Sequence, residues 1–174
     1  MVSPFSSHYH IRQATVQDAP ELARLRWDFS DQTNQSFEIF TQTFDVFLQQ
    51  ALASSQWTIW VAEDAEKLLA NIYIQLVQKV PRPGRPLAYW GYVTNVYVEP
   101  FARNHGIGSQ MLQTIQQWAR SQHVEFFVVW PAEESVQFYQ RNGFVPNKDI
   151  LECNLASLAG SGGDEEQLHP FSDS

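Results

Sequence analysis

WGYVTNVYVEPFARNHGIGSQMLQTIQQWA, residues 90–119, reads as a strand, a tight glycine-bearing loop and an amphipathic helix, in that order. Residues 91–98 are rich in β-branched and aromatic side chains, which suit a pleated, half-buried surface. Pro100 has no N–H to donate and stops the ladder. Beyond the loop, Ile107, Met111, Leu112, Ile115, Trp118 and Ala119 recur at helical spacing and leave glutamines on the opposite face. Between strand and helix stands Arg103-Asn104-His105-Gly106-Ile107-Gly108. The first N–H groups of a helix have no acceptor within it, and the macrodipole adds partial positive charge there. Glycines at 106 and 108 clear side chains from that backbone, and Arg103 adds a planar cationic fork suited to phosphate. Together these features make a pyrophosphate cradle at a helix N-terminus. The same spacing also suits a turn that needs glycine for geometry alone.

Two familiar phosphate loops are excluded. No Gly-Lys-Ser/Thr follows, so the loop is not a P-loop. Met111 stands where the dinucleotide fingerprint needs its third glycine. What remains, Arg-x-x-Gly-x-Gly after a strand ending Val-Tyr-Val-x-Pro, resembles the acyl-CoA loop of the GNAT superfamily of N-acyltransferases. Further on, Phe138-Tyr139-Gln140-Arg141-Asn142-Gly143-Phe144 is similar to that superfamily's Phe-Tyr-x-x-x-Gly-Phe, and the two motifs stand in the expected order. The resemblance implies an α/β (α+β) fold in a single domain over residues 1–158. Its mixed central sheet would have six or seven strands, four flanking helices and a splay between two central parallel strands.

The totals bound the rest. A chain of 174 residues is long enough for one domain with a proper core. Eleven basic residues against nineteen acidic give a net charge of −8, which argues against broad nucleic-acid binding. No apolar run approaches a membrane span, and the N-terminus lacks the pattern of a signal peptide. These features lead to the expectation of a soluble, cytoplasmic protein, with homodimer formation left open. Cys153, the single cysteine, leaves no internal disulfide to form.

Along the chain, residues 9–14 suit a short strand, and Thr15 with Asp18 suits the start of a helix carrying Leu22, Leu25 and Phe29. A second helix over 37–53 places Phe40, Phe44, Phe47, Leu48 and Ala51 on one face, a stripe that reads as core. Strands are expected at 57–63 and 68–80, then a rigid loop at 81–86 whose Arg82 and Arg85 read as a solubilising tip. Residues 125–130 are almost continuously apolar and predict a strand buried on both faces. A short helix over 135–142 follows, stopped by Gly143, with last strands at 144–145 and 151–155. Residues 159–174 are glycine-rich, acidic and aperiodic, which predicts a disordered tail.

The resemblance also implies roles. The strands ending at Val98 and Trp130 would part to admit pantetheine, lined by Val96, Tyr97 and Val98, with a backbone N–H near Val96 polarising the thioester carbonyl. Arg103, Asn104, His105, Gly106, Ile107, Gly108 and Ser109 would hold the pyrophosphate of acetyl-CoA. Many members carry an asparagine where Ala132 stands here, so Ser135 is the candidate to contact pantetheine. Tyr139 is the candidate general acid, because a phenol is protonated at neutral pH and can pass its proton to a departing thiolate.

No base is evident. The organising strand has no acid before Glu99. Asn95 could position a water but cannot itself accept a proton, and Asp31, Glu38, Glu133 and Glu134 are the carboxylates available elsewhere. Asp28 and Asp31, near the end of the first helix, are candidates to hold a cationic amine. His8 and His10 share a strand face without a third ligand, so no metal is expected. The expected activity is transfer of an acetyl group from acetyl-CoA to a small-molecule or peptide amine by direct attack in a ternary complex. The alternative is an acyl-CoA-binding module without catalysis, and a nucleotide-phosphate site fits the loop but not the second motif.

Overall fold

The computed structural model describes residues 8–30, 36–85 and 87–153. The leader 1–7, Asp31, residues 154–155 of the last expected strand and the acidic tail 159–174 lie outside the described residues. Five strands form one sheet in chain order: β1 (His10–Gln13), β2 (Trp57–Glu63), β3 (Leu68–Gln78), β4 (Tyr89–Val98) and β5 (Val124–Val128). The first four pair antiparallel, and β4 with β5 is parallel. Asp64 closes the β2–β3 hairpin, its Oδ1 accepting the N–H groups of Glu66 and Lys67 at 2.9 Å each. Helices α1 (Ala19–Phe29) and α2 (Phe37–Ala53) cover one face, and α3 (Ile107–Ser121) with α4 (Val136–Arg141) covers the other. No described helix is long and apolar enough to cross a membrane.

Three expectations are corrected here. The described residues hold five strands, not six or seven, because 144–153 adopt no strand. Pro146 removes a ladder donor there, and beyond the half-buried Phe144 residues 145–153 are exposed, Val145 at 81% and Leu151 at 95%, so no burial holds them to the sheet. The parallel pair therefore sits at an edge of this sheet, not at its centre. For the same reason β5 is not buried on both faces: Glu125 and Phe126 are exposed, with Phe126 stacked on Trp90 and Glu125 paired with Lys79 and Arg85.

Two apolar layers fix the sheet. Ile72, Ile74 and Val93 pack against Ile107, Met111, Leu112 and Ile115 of α3 and Tyr139 of α4. On the other face Ile59, Val61, Tyr73 and Tyr97 meet Leu22 and Leu25 of α1 and Phe44, Leu48 and Ala51 of α2. The phenylalanine stripe is core: Trp27, Phe40, Phe44, Phe47 and Trp57 form a run of rings 5.3–6.1 Å apart. Arg12 of β1 clamps the entry to α1, donating bidentately to Asp18 and to Glu63. Those hydrogen bonds hold both carboxyls below their ordinary pKa.

Gly91 lets β5 approach β4. A methyl group there would fall 2.6 and 2.7 Å from two ring carbons of Phe127 and 3.0 Å from Ile74 Cγ2. Gly91→Ala is therefore expected to lower stability by about 1–3 kcal/mol, the range for overpacked cores, as read by denaturant unfolding. A cost near zero would mean that β5 is free to move away from β4.

Candidate active site

The β4–β5 ladder ends early. Its last pairs are Gly91 with Phe127 and Tyr92 with Val128, and β4 continues to Val98 with no parallel partner among the described residues. Val96, Tyr97 and Val98 thus lie on the unpaired half, where the expected splay begins. A bulge stands in the same half: Asn71 opposes Tyr97 and Tyr73 opposes Thr94, so Ile72 alone faces Asn95 and Val96. Asn95 takes the extra turn with φ 48°, a left-handed conformation that asparagine tolerates better than most residues. Its backbone oxygen accepts from Asn71 Nδ2 at 2.5 Å and its side-chain oxygen from Arg26 Nη1 at 3.2 Å. The regular alternation expected of this strand is broken at that residue.

Beyond β4, a short 3₁₀ turn (Pro100–Ala102) leads into the glycine loop. Asn104 and Gly106 both have positive φ, 64° and 82°. The first helical bond of α3 runs from Gln110 N to Gly106 O at 3.0 Å, and no side chain caps this end. The N–H groups of Ile107, Gly108 and Ser109 therefore lack helical acceptors. Nothing lies within 4 Å of where a Gly106 Cβ would stand, so the approach to those donors is clear. Arg103 folds back to donate from Nε to the Val98 carbonyl at 2.9 Å and lies 5.7 Å from the Tyr97 ring centre. That single bond leaves the rest of its fork for an anion. His105 is exposed on the same loop. A concavity of about 270 Å³ lies away from this loop, between α1 and α2.

The second motif docks directly on the first. Gly108 brings α3 close to Phe138, whose ring carbons would stand 3.2 Å from a methyl group at that position. Asn142 Nδ2 donates to Ser109 Oγ at 3.1 Å and to the Phe138 carbonyl at 2.8 Å, so Ser109 is engaged in holding the two helices together. Tyr139 is 3% exposed, between the rings of Phe138 and Phe144 at 5.1 and 5.3 Å. Its hydroxyl has no hydrogen-bond partner among the described residues. Burial first, and then the neighbouring Tyr92 phenol, push its pKa well above the ordinary value. Ser135 is half-buried at the start of α4 without capping it.

On the proposed acceptor side, Asp31 lies outside the described residues and Asp28 is engaged by a neighbour. Asp28 belongs to the last turns of α1 and is held by Arg24 at 2.9 Å; the same Nη1 reaches Glu99 at 2.7 Å. Glu99 is 7% exposed and also accepts from the Tyr97 hydroxyl at 3.4 Å. Arg26, Asn71 and Tyr73 were not singled out, yet they surround the bulge. Two signals could have found them. Arg26 shares a helix face with Leu22 and Phe29, and Asn71 interrupts an apolar run in β3.

β3, β4, the glycine loop and the second motif fall inside a recognised sequence pattern. A sequence model described as an acetyltransferase (GNAT) domain matches residues 55–146, just over half of the chain and both motifs. The chain belongs to the GNAT acetyltransferase family. Solved structures agree on the GNAT fold. A predicted acetyltransferase of Clostridium acetobutylicum, crystallised with acetyl-CoA, shares 23% identity over 86% of this chain and 98% of its own, with a TM-score of 0.70. A GCN5-related N-acetyltransferase of Ralstonia eutropha gives 23%, 84%, 99% and 0.66. The glucosamine-6-phosphate N-acetyltransferase of Arabidopsis thaliana gives 16%, 86%, 99% and 0.68. Comparison with curated proteins returned no match.

Proposed function

We propose that this GNAT domain moves an acetyl group from acetyl-CoA to a primary amine by direct transfer in a ternary complex. The observation that carries the reading is the uncapped start of α3 standing beside an unpaired half of β4, with the partnerless Tyr139 hydroxyl in the same apolar cluster. Acetyl-CoA supplies the thioester. Arg103 and the N–H groups of residues 107–109 suit its pyrophosphate, and the open space at Gly106 admits it. His105 and Asn104 stand on the same loop. The backbone of Val96 to Val98 offers donors without strand partners on the β5 side, where an N–H can polarise a carbonyl oxygen. Tyr139 holds a proton in apolar surroundings for the sulfur that departs.

Removing the proton from the acceptor falls to no described side chain of β4. Asn95 has no basic atom free, and the Glu99 carboxylate is held by Arg24 and Tyr97. The amine therefore loses its proton to water or to a carboxylate outside β4 before attack. The missing base also favours a second reading, an acyl-CoA-binding module that does not turn over.

Initial rates with acetyl-CoA and amine varied together test the proposal. Intersecting double-reciprocal lines are expected, since both substrates must be bound at once. Parallel lines would mean a covalent acetyl-enzyme and would contradict direct transfer. Tight acetyl-CoA binding without amine-dependent turnover would establish the second reading.

A further inference from the structure

The acceptor side of β4 offers donors where a polycationic amine would call for acceptors. Each carbonyl oxygen of Asn95 already accepts one hydrogen bond, the backbone one from Asn71 Nδ2 and the side-chain one from Arg26 Nη1. A guanidinium has no lone pair to accept with, so this contact fixes which end of the amide faces α1. Nδ2 is the one polar group of that side chain with no contact of this kind. It has no partner among the described residues, and it is not one of the buried polar atoms sealed from solvent. On the same face the Tyr73 hydroxyl is buried without a partner and lies in the field of Arg26. Among the described residues, the acids of this region, Asp28 and Glu99, are both held by Arg24.

We propose that the acceptor carries a carbonyl or carboxylate oxygen within two or three bonds of its amine, as in an α-amino amide, a peptide N-terminus or a free amino acid, and that Asn95 Nδ2 binds that oxygen. The inference rests on the transferase reading and narrows its substrate. Alkylamines and polyamines, which bring only further N–H donors, are the excluded class. The bulge is what makes the contact available: with its left-handed turn, Asn95 gives up both oxygens to β3 and α1 and keeps a donor next to the unpaired half of β4.

The test measures thiol release from acetyl-CoA with L-alanine amide, L-alanine, isopropylamine and spermidine, each rate expressed per concentration of uncharged amine. That correction is needed because the α-amino group of an amide or peptide titrates about two units or more below an alkylamine, while the carboxylate of a free amino acid holds its amine closer to the alkylamine. In the wild type, kcat/KM for alanine amide or alanine is expected to exceed that for isopropylamine at least tenfold. The amide and the acid, compared with each other, separate a neutral oxygen from a charged one. Asn95→Asp keeps the size and the tolerance of positive φ but replaces the donor by an acceptor. It is expected to remove the advantage mainly through KM, with acetyl-CoA affinity unchanged by calorimetry. Equal rates with isopropylamine or spermidine, or an advantage that survives Asn95→Asp, overturn the proposal while leaving the transferase intact. Thiol release with none of the four overturns the proposal, and acetyl-CoA binding measured alongside shows whether the cradle stands.

Discussion

Gly106→Glu is expected to lower acetyl-CoA affinity at least a hundredfold, measured by calorimetry. Gly106 sits at the start of α3 with φ 82° and empty space around its missing side chain. A carboxylate there would lie among the N–H groups that suit pyrophosphate. Two like charges 4 Å apart at an effective dielectric of 20 repel by about 4 kcal/mol, and the added side chain also closes the approach. The left-handed backbone costs a non-glycine residue a further 1–2 kcal/mol or so, which falls on stability rather than on affinity. Gly106→Asn separates the two, because asparagine accepts positive φ without adding charge. Its affinity should stay within about tenfold of wild type, judging from one lost contact at about 1.4 kcal/mol. Unchanged affinity in Gly106→Glu would mean that the anion binds elsewhere.

Tyr139→Phe is expected to lower kcat by about 10²–10⁴, the usual worth of a positioned proton donor, with KM for acetyl-CoA nearly unchanged. Stability should hold, since the ring packing is kept and the hydroxyl removed has no partner among the described residues. That combination distinguishes a chemical role from a packing role. The pH profile adds a sign. Burial raises the phenol pKa above its ordinary value of 10, so Tyr139 remains protonated throughout the working range. Wild-type kcat should therefore show no alkaline loss below pH 10 from this group, while the rate rises with pH as the acceptor amine loses its own proton. Turnover within twofold of wild type in Tyr139→Phe would assign the proton to water.

The geometry of the glycine loop and the start of α3 was readable because its physics is local. Arg103, Gly106 and Gly108 act through a helix start and a backbone angle, both encoded within a few residues. The placement of Tyr139 against α3 depended on Gly108 and Asn142, and the second motif carries both the helix and its stop. The bulge at Asn95 was not readable, because an extra residue in β4 is defined only against its β3 partner Ile72. From the sequence Asn95 reads only as a residue that could position a water; the bulge turns its backbone left-handed, and Arg26 engages its side-chain oxygen. The pairing of Asp28 was not readable for a similar reason, since the arginine that engages it also reaches Glu99, seventy-five residues away. Strand count and burial of β5 failed on a different point. Apolar composition at 125–130 states what a segment can bury, whereas the exposed 144–153 region leaves its outer side uncovered.

The central claim is that the loop after β4 and the Tyr139 hydroxyl serve one reaction, acetyl transfer to an amine. Thiol release from acetyl-CoA, followed with and without a broad set of primary amines, tests it most directly. The account predicts slow release in water alone and release at least a hundredfold faster with one class of amine, with the acetylated amine recovered in equal amount. Acetyl-CoA bound tightly, with release no faster in any amine than in water, would contradict it.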